Sequence, residues 1–240
     1  MKVLLVLLST VLASGLLRDA PKRNPKDPTK VVDGGALKVS EKAVNHVVGH
    51  ETGGYAYFTK LYERPTDPKF SSGVTVGFGY DLKFHTTAQI RADWAGVATT
   101  SEIAAMCSVA GLDGSVYKQI RYKVRITWEE GMTVFKRTTL PRWTAKTAKA
   151  YRITAPDQLH PHLNGALWGN SFNRGTSMKG SRMLEKRQTR TAIAEKRWDD
   201  IPGYFDAQQR YWPGHAGLMR RRREEGQMAR EALKYEWWQK

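Results

Sequence analysis

The chain has 240 residues, 40% of them hydrophobic and 10% aromatic, with 8 Trp, which excludes a disordered, collagen-like or multi-spanning membrane protein and leaves ample material for a packed core. Its single cysteine, Cys107, excludes an internal disulfide framework and any Cys-based zinc cluster. Lys and Arg number 39 against 23 Asp and Glu, a formal net charge of +16, which calls for an anionic partner such as nucleic acid, lipid head groups or wall polymer without choosing among them.

The first residues narrow that choice. Met1-Lys2 is a short positive start to an apolar run over residues 3–17, closed by small residues, with Val11-Leu12-Ala13 shaped like a cleavage site. The run is shorter than the ~18–20 residues that cross a bilayer comfortably, so residues 1–15 read as an export signal. The alternatives are an uncleaved anchor that holds the chain transiently at a membrane, or a buried N-terminal helix. Export makes nucleic acid a poor partner. Residues 16–36, with three prolines, a basic bias and a Gly-Gly end, read as an exposed tether or basic contact arm, leaving residues 37–240 as the folded domain.

Ser40 is a helix N-cap followed by Ala43, Val44, Val47 and Val48 at one-face spacing, and Gly53-Gly54 stops the helix. Glu51, four residues after Val47, falls beside the apolar face at the C-terminal end. Partial burial and the negative end of the helix dipole there would raise its pKa, as a general acid requires. The plainer reading is a surface glutamate at a frayed end. In residues 73–82, Val74, Val76, Phe78, Tyr80 and Leu82 alternate with Thr75, Gly77, Gly79 and Asp81, which predicts a strand. One face is apolar; the other holds a hydroxyl, a carboxylate and two glycines over which a flat ligand can approach the backbone. The glycines equally suit a bulge or turn.

Thr86 or Thr87 caps a helix through Ile90 and Trp94. Ile120, Tyr122, Val124, Ile126 and Trp128 alternate with basic residues, as a strand or as an extended approach to the next helix. That helix starts at the Thr127–Glu130 capping box and is expected to end near Pro141. Leu163, Ala166 and Leu167 mark a helix ending near Asn173-Arg174-Gly175, and a last helix passes through Arg220 to Arg223, Met228 and Leu233, weakened by Gly226. The pattern is mostly helical, with a small extended region near residues 55–85. Cys107 reads as a small core residue, the Arg220–Arg223 run as a solvated face, and the histidines as no metal site, since His160-Pro161-His162 has neither carboxylate nor Cys beside it.

Four segments together resemble the phage-type lysozyme superfamily, muramidases of the family 24 glycoside hydrolase kind, and most of all its pesticin-like branch. They are His50-Glu51-Thr52-Gly53-Gly54, then Gly73 through Leu82, then Ala166 through Gly175 with its Phe172-Asn173-Arg174-Gly175 end, then Gly217 through Glu225. The order Glu, Thr, Asp fits that branch. Lys83 departs from it, standing where the branch has Gly after Asp-Leu, and Gly169 and Asn170 make their helix more polar than its counterparts.

The resemblance implies an α+β, predominantly helical lysozyme-like fold, with a small β-containing lobe, a larger helical lobe and an active-site cleft between them. It implies catalytic Glu51, Asp81 and Thr75, substrate contacts from Gly77, Gly79, Tyr80 and Asn173, and no metal or organic cofactor. The expected activity is cleavage of the β-1,4 bond between N-acetylmuramic acid and N-acetylglucosamine by an exported, endolysin-type monomer. Bacterial peptidoglycan would be the substrate, with the basic surface holding anionic wall polymers. The alternatives are a non-hydrolytic cationic wall- or membrane-binding protein and a lytic transglycosylase.

Overall fold

The computed structural model describes residues 29–69 and 72–239; the expected signal and residues 16–28 of the expected tether lie outside that range. The end of the tether is not open chain. Val31–Asp33 forms β1, paired antiparallel with β2 (Lys38–Ser40) in the register Val32 opposite Val39. A turn closed by Gly34 N–H to Leu37 O and by Gly35 N–H to the Asp33 side chain joins them. Leu37 and Val39 are fully buried, so the folded body begins several residues before position 37.

Helix α1 (Glu41–Thr52) starts where Ser40 Oγ accepts the Ala43 N–H at 3.2 Å. It buries Ala43, Val44, Val47 and Val48 and ends at Gly53, whose φ of 73° returns its N–H to Gly49 O. Residues 55–61, expected in an extended region, form α2 (Tyr55–Leu61) instead. The predicted strand over 74–82 is a tight hairpin, β3 (Thr75–Val76) against β4 (Tyr80–Asp81), turning at Gly77-Phe78-Gly79 with positive φ at both glycines. The apolar alternation nevertheless holds: Val74, Val76, Phe78, Tyr80 and Leu82 are all buried.

Next come α3 (Thr87–Trp94), capped by Thr86, and α4 (Thr100–Ser108), capped by Thr99; both caps are reciprocal boxes. Residues 124–127 are an extended approach rather than a strand, leading to α5 (Trp128–Val134) under the Thr127–Glu130 box. Pro141 does not end this helix. Phe135–Thr139 widens into a π-helical turn in which Leu140 N–H bonds to Phe135 O, and the chain continues as α6 (Leu140–Tyr151) with the proline in its first turn.

Helix α7 (Pro161–Arg174) runs through the middle of the molecule and is buried from His162 to Ser171. A Cβ at Gly165 would overlap Ala43 Cβ, so glycine there sets how closely α1 and α7 cross. The polar residues of α7 serve a buried network: Asn170 Nδ2 donates to Gln208 and to Glu225, each at 2.9 Å. After α8 (Leu184–Ala194) and α9 (Ile201–Ala207), the chain closes with α10 (Ala216–Leu233). Gly226 lets α10 lie on α9, since a Cβ there would fall 2.7 Å from Asp206 Oδ1 and 3.2 Å from Pro202 O.

Among the described residues the fold is thus mostly helical with two small strand pairs, and it carries two apolar clusters. The larger gathers α1, α6, α7, α9 and α10. The smaller gathers the hairpin with α3, α4 and residues 120–134. Phe78 at the hairpin tip belongs to the larger cluster, its ring 4.7 Å from Trp128, 5.0 Å from Phe58 and 6.2 Å from Phe135, so the hairpin turn is anchored there while its strands pack in the smaller one. Among the described residues no helix is long and apolar enough to cross a membrane.

Candidate functional site

The end of α1, residues 61–68 with Ser72 and the open face of the hairpin enclose a cleft of about 640 Å³ lined by Glu51, Thr75, Gly77, Gly79 and Asp81. Two carboxylates from separate elements therefore face one solvent-filled space. Glu51 is more open than its helix position suggests: its side chain is 33% exposed, and its Oε1 accepts from Arg221 Nη1 at 2.8 Å. The buried partner is the guanidinium, only 4% exposed, which also donates to Gly169 O from Nη2 and lies 3.7 Å from Glu225 Oε1. The expected apolar setting is thus replaced by a buried cation that fixes the direction of the carboxyl group.

The Arg220–Arg223 run is accordingly not a solvated face. Arg221 and Arg222 are buried, and only Arg220 and Arg223 meet solvent. Arg222 donates to Glu225 at 2.6 Å. Burial alone would push the Glu225 carboxyl up, but Arg222, His46 and Asn170 together hold it below the usual range. The network charges the base on which Glu51 stands.

Asp81 is held by backbone. It accepts from Gly73 N–H at 3.0 and 3.1 Å and from Lys83 N–H at 2.9 Å, capping a single 3-10 turn over Leu82–Phe84. Lys83 fits this turn without positive φ, so its departure from the expected glycine leaves the carboxylate in place. Thr75 sits directly opposite Asp81 in the hairpin register, half-buried, its Oγ1 donating weakly to Gly73 O at 3.4 Å. Gly77 and Gly79 line the cleft, and their φ values of 56° and 78° show that the turn itself requires glycine.

Two expected substrate contacts fall elsewhere. Tyr80 alternates to the inner face of the hairpin, 5% exposed, donating to Asp93 Oδ2 at 2.7 Å and stacked on His85. Burial and the neighbouring Asp93 push its phenol well up, and it does not line the cleft. Asn173 is exposed on the last turn of α7 and does not line the cleft either; the cap of that helix is Gly175. Cys107 is half-buried against the smaller cluster.

Residues that the sequence pattern passes over complete the site. Gly73 must lack a side chain, because a Cβ there would overlap Lys83 Cβ and fall 2.7 Å from Asp81 Oδ1. Asp67 adds a third carboxylate to the cleft wall, and hydrogen bonds from the Lys69 side chain and backbone hold it below the usual carboxylate range. Arg121 supplies a cation and Tyr62 an aromatic side chain to the same wall. The cleft carboxylates do not converge as a metal-holding set; among the described residues the one such set is His46, His50 and Glu224. The whole arrangement offers a groove for a polyhydroxylated ligand, with carboxylates from α1, from the hairpin and from the segment between them along its wall. The chain matches none of the known protein-family models and no curated protein sequence.

Proposed function

We propose that the chain is a peptidoglycan hydrolase, a muramidase cutting the β-1,4 bond between N-acetylmuramic acid and N-acetylglucosamine, built on a lysozyme-like arrangement of two lobes around the cleft. The observation that carries this reading is that Glu51 and Asp81, from separate elements, line one open groove together with Thr75. Glycosidic cleavage needs a proton for the leaving oxygen and a carboxylate on the other face of the sugar.

In this reading Glu51 is the general acid. Arg221 engages Oε1, leaving Oε2 to carry the proton that passes to the leaving oxygen as the anomeric carbon–oxygen bond breaks. Asp81, oriented by two backbone amides, takes a proton from the attacking water, whose oxygen bonds to the anomeric carbon. Thr75, opposite in the register, holds that water. Attack from the face away from the leaving group inverts the anomeric centre and corresponds to a carboxyl separation of ~6.5–9.5 Å. The reaction requires no metal or organic cofactor.

The net charge of +16 favours retention on anionic wall polymers, and the apolar N-terminal run favours export of a monomeric enzyme to the periplasm or wall. Mass spectrometry of fragments released from purified peptidoglycan tests the reading. Wild type is expected to leave reducing muramic acid ends and Glu51→Gln none. Anhydro ends would point instead to a lytic transglycosylase and leave Asp81 without a role. Lysis unaffected in Glu51→Gln would favour a non-hydrolytic cationic protein.

A further inference from the structure

The same helix that carries Glu51 presents a second cluster on another side. His46 and His50 are one turn apart on α1, and both rings face Glu224 of α10. His46 Nδ1 lies 3.3 Å and His50 Nε2 2.6 Å from one and the same oxygen, Glu224 Oε2. One candidate donor atom from each of the three residues falls within 4.8 Å of the others. We propose that His46, His50 and Glu224 bind a divalent transition-metal ion, zinc by donor type, that clamps α1 to α10.

Five features support this. Two imidazoles and one carboxylate are a donor set that suits zinc. Metal–ligand bonds of ~2.0–2.1 Å in a tetrahedron put neighbouring donor atoms about 3.3–3.4 Å apart, close to the spacing already present between His46 Nδ1 and Glu224 Oε2. His46 is 8% exposed at its side chain, and its other nitrogen, Nε2, has no hydrogen-bond partner and faces the buried Glu225 Oε1 at 3.9 Å. A carboxylate behind the far nitrogen is the usual device for orienting a metal-bound imidazole. The fourth side opens into a cavity of about 440 Å³ lined by Asn45, Gly49 and Gly53 among others, where water can complete the tetrahedron. Arg220 Nε lies 3.7 Å from the other Glu224 oxygen, Oε1, which turns Oε2 toward the histidines.

The site lies outside the hydrolytic cleft, and no step of the proposed hydrolysis passes through it. Its consequence is mechanical: His50 immediately precedes Glu51, so a clamp at His50 stiffens the last turn of α1. Spacing alone does not reveal it, because Glu224 is 174 residues from His50 in sequence.

Isothermal titration of the untagged full chain with zinc chloride at neutral pH tests the proposal, together with the visible spectrum of its cobalt(II) form. The expected result is one ion per chain with micromolar or tighter affinity, and a cobalt spectrum of four-coordinate intensity. The thermal midpoint should rise with zinc concentration, since an ion that binds only the folded state stabilises it. His46→Ala and His50→Ala should each weaken binding at least 100-fold and Glu224→Gln at least 10-fold, while His160→Ala leaves it unchanged. The cobalt spectrum needs no variant and guards against one that fails to fold. Absence of binding up to 100-micromolar zinc, octahedral cobalt, or binding insensitive to His46 and His50 would overturn the assignment.

Discussion

Gly73→Ala is the sharpest local test of how the hairpin holds its carboxylate. A methyl group at this position would overlap Lys83 Cβ and fall 2.7 Å from Asp81 Oδ1 and 2.8 Å from Leu112 O. Reaching ordinary van der Waals contact, 3.4 Å or more, requires Asp81 Oδ1 to withdraw by about 0.7 Å, and Leu112 O is backbone that yields poorly. Overpacking of this kind costs about 1–3 kcal/mol of stability. The same movement lengthens the hydrogen bonds that Gly73 N–H donates to both Asp81 oxygens, each a charge-assisted contact. A base displaced by several tenths of an ångström to 1 Å loses on the order of 10²-fold in rate. Urea denaturation and release of reducing ends from peptidoglycan measure the two effects separately. Gly96→Ala is the control, since Gly96 has a φ of 69° with nothing within 4 Å of its Cβ. It should cost about 1 kcal/mol for the backbone alone and leave activity intact. A Gly73→Ala protein with wild-type activity would refute the claim that Gly73 positions Asp81.

Phe78→Ala removes the ring that anchors the hairpin tip on Phe58, Trp128 and Phe135 of the larger cluster and should cost about 3–5 kcal/mol; an unchanged midpoint in calorimetry would contradict that role. Lys186 is fully buried, its ammonium donating to Gly175 O and Ser177 O, and burial pulls its pKa from 10.5 down to about 8. Between those values the unfolded chain binds the proton and the native one does not, so the penalty is present in full below pH 8 and relieved as pH rises toward 10.5. Wild-type stability, measured against Lys186→Met at each pH, should therefore rise by about 2–3 kcal/mol across that window; a flat difference would show that the buried amine carries no such shift. Binding to purified walls should weaken steeply between low and high salt, as expected for a protein of net charge +16.

Much of the fold is legible where a side chain announces it. Ser40, Thr86 and Thr127 accept the amide hydrogens of their helix starts as their sequence positions predict. Helices α2, α8 and α9 escape notice because none has a side-chain cap. Helix α4, by contrast, starts under a Thr99–Glu102 box that is legible in the sequence. The period of two over residues 74–82 puts the right side chains inside yet suggests one strand, because apolar alternation continues straight through a turn when its middle residue, Phe78, is also buried. Pro141 looks like a helix end because a proline lacks the N–H that an α-helix needs, and only the π turn before it removes that need.

The site divides the same way. Glu51, Thr75 and Asp81 come from segments with strong local signals, and all three line one cleft. Tyr80 enters the expectation through its place in the motif, although the alternation already puts it on the apolar face where the structure has it. Arg221 lies 170 residues from Glu51, and its burial depends on packing between α7 and α10 that no local pattern carries. Gly73 is visible only once Asp81 has folded over it.

The most direct test of the account is cleavage of purified peptidoglycan in ¹⁸O-labelled water, comparing wild type with Glu51→Gln and Asp81→Asn under conditions where all three are folded by circular dichroism. A positioned general acid contributes about 10²–10⁴-fold, so loss of Glu51 should reduce the rate by at least that much. The account predicts one ¹⁸O atom at the anomeric carbon of each new muramic acid end from wild type, with the α-anomer formed first, and almost none from either variant. Unlabelled anhydro ends, a β-anomer formed first, or wild-type labelling by the Glu51→Gln protein would contradict it.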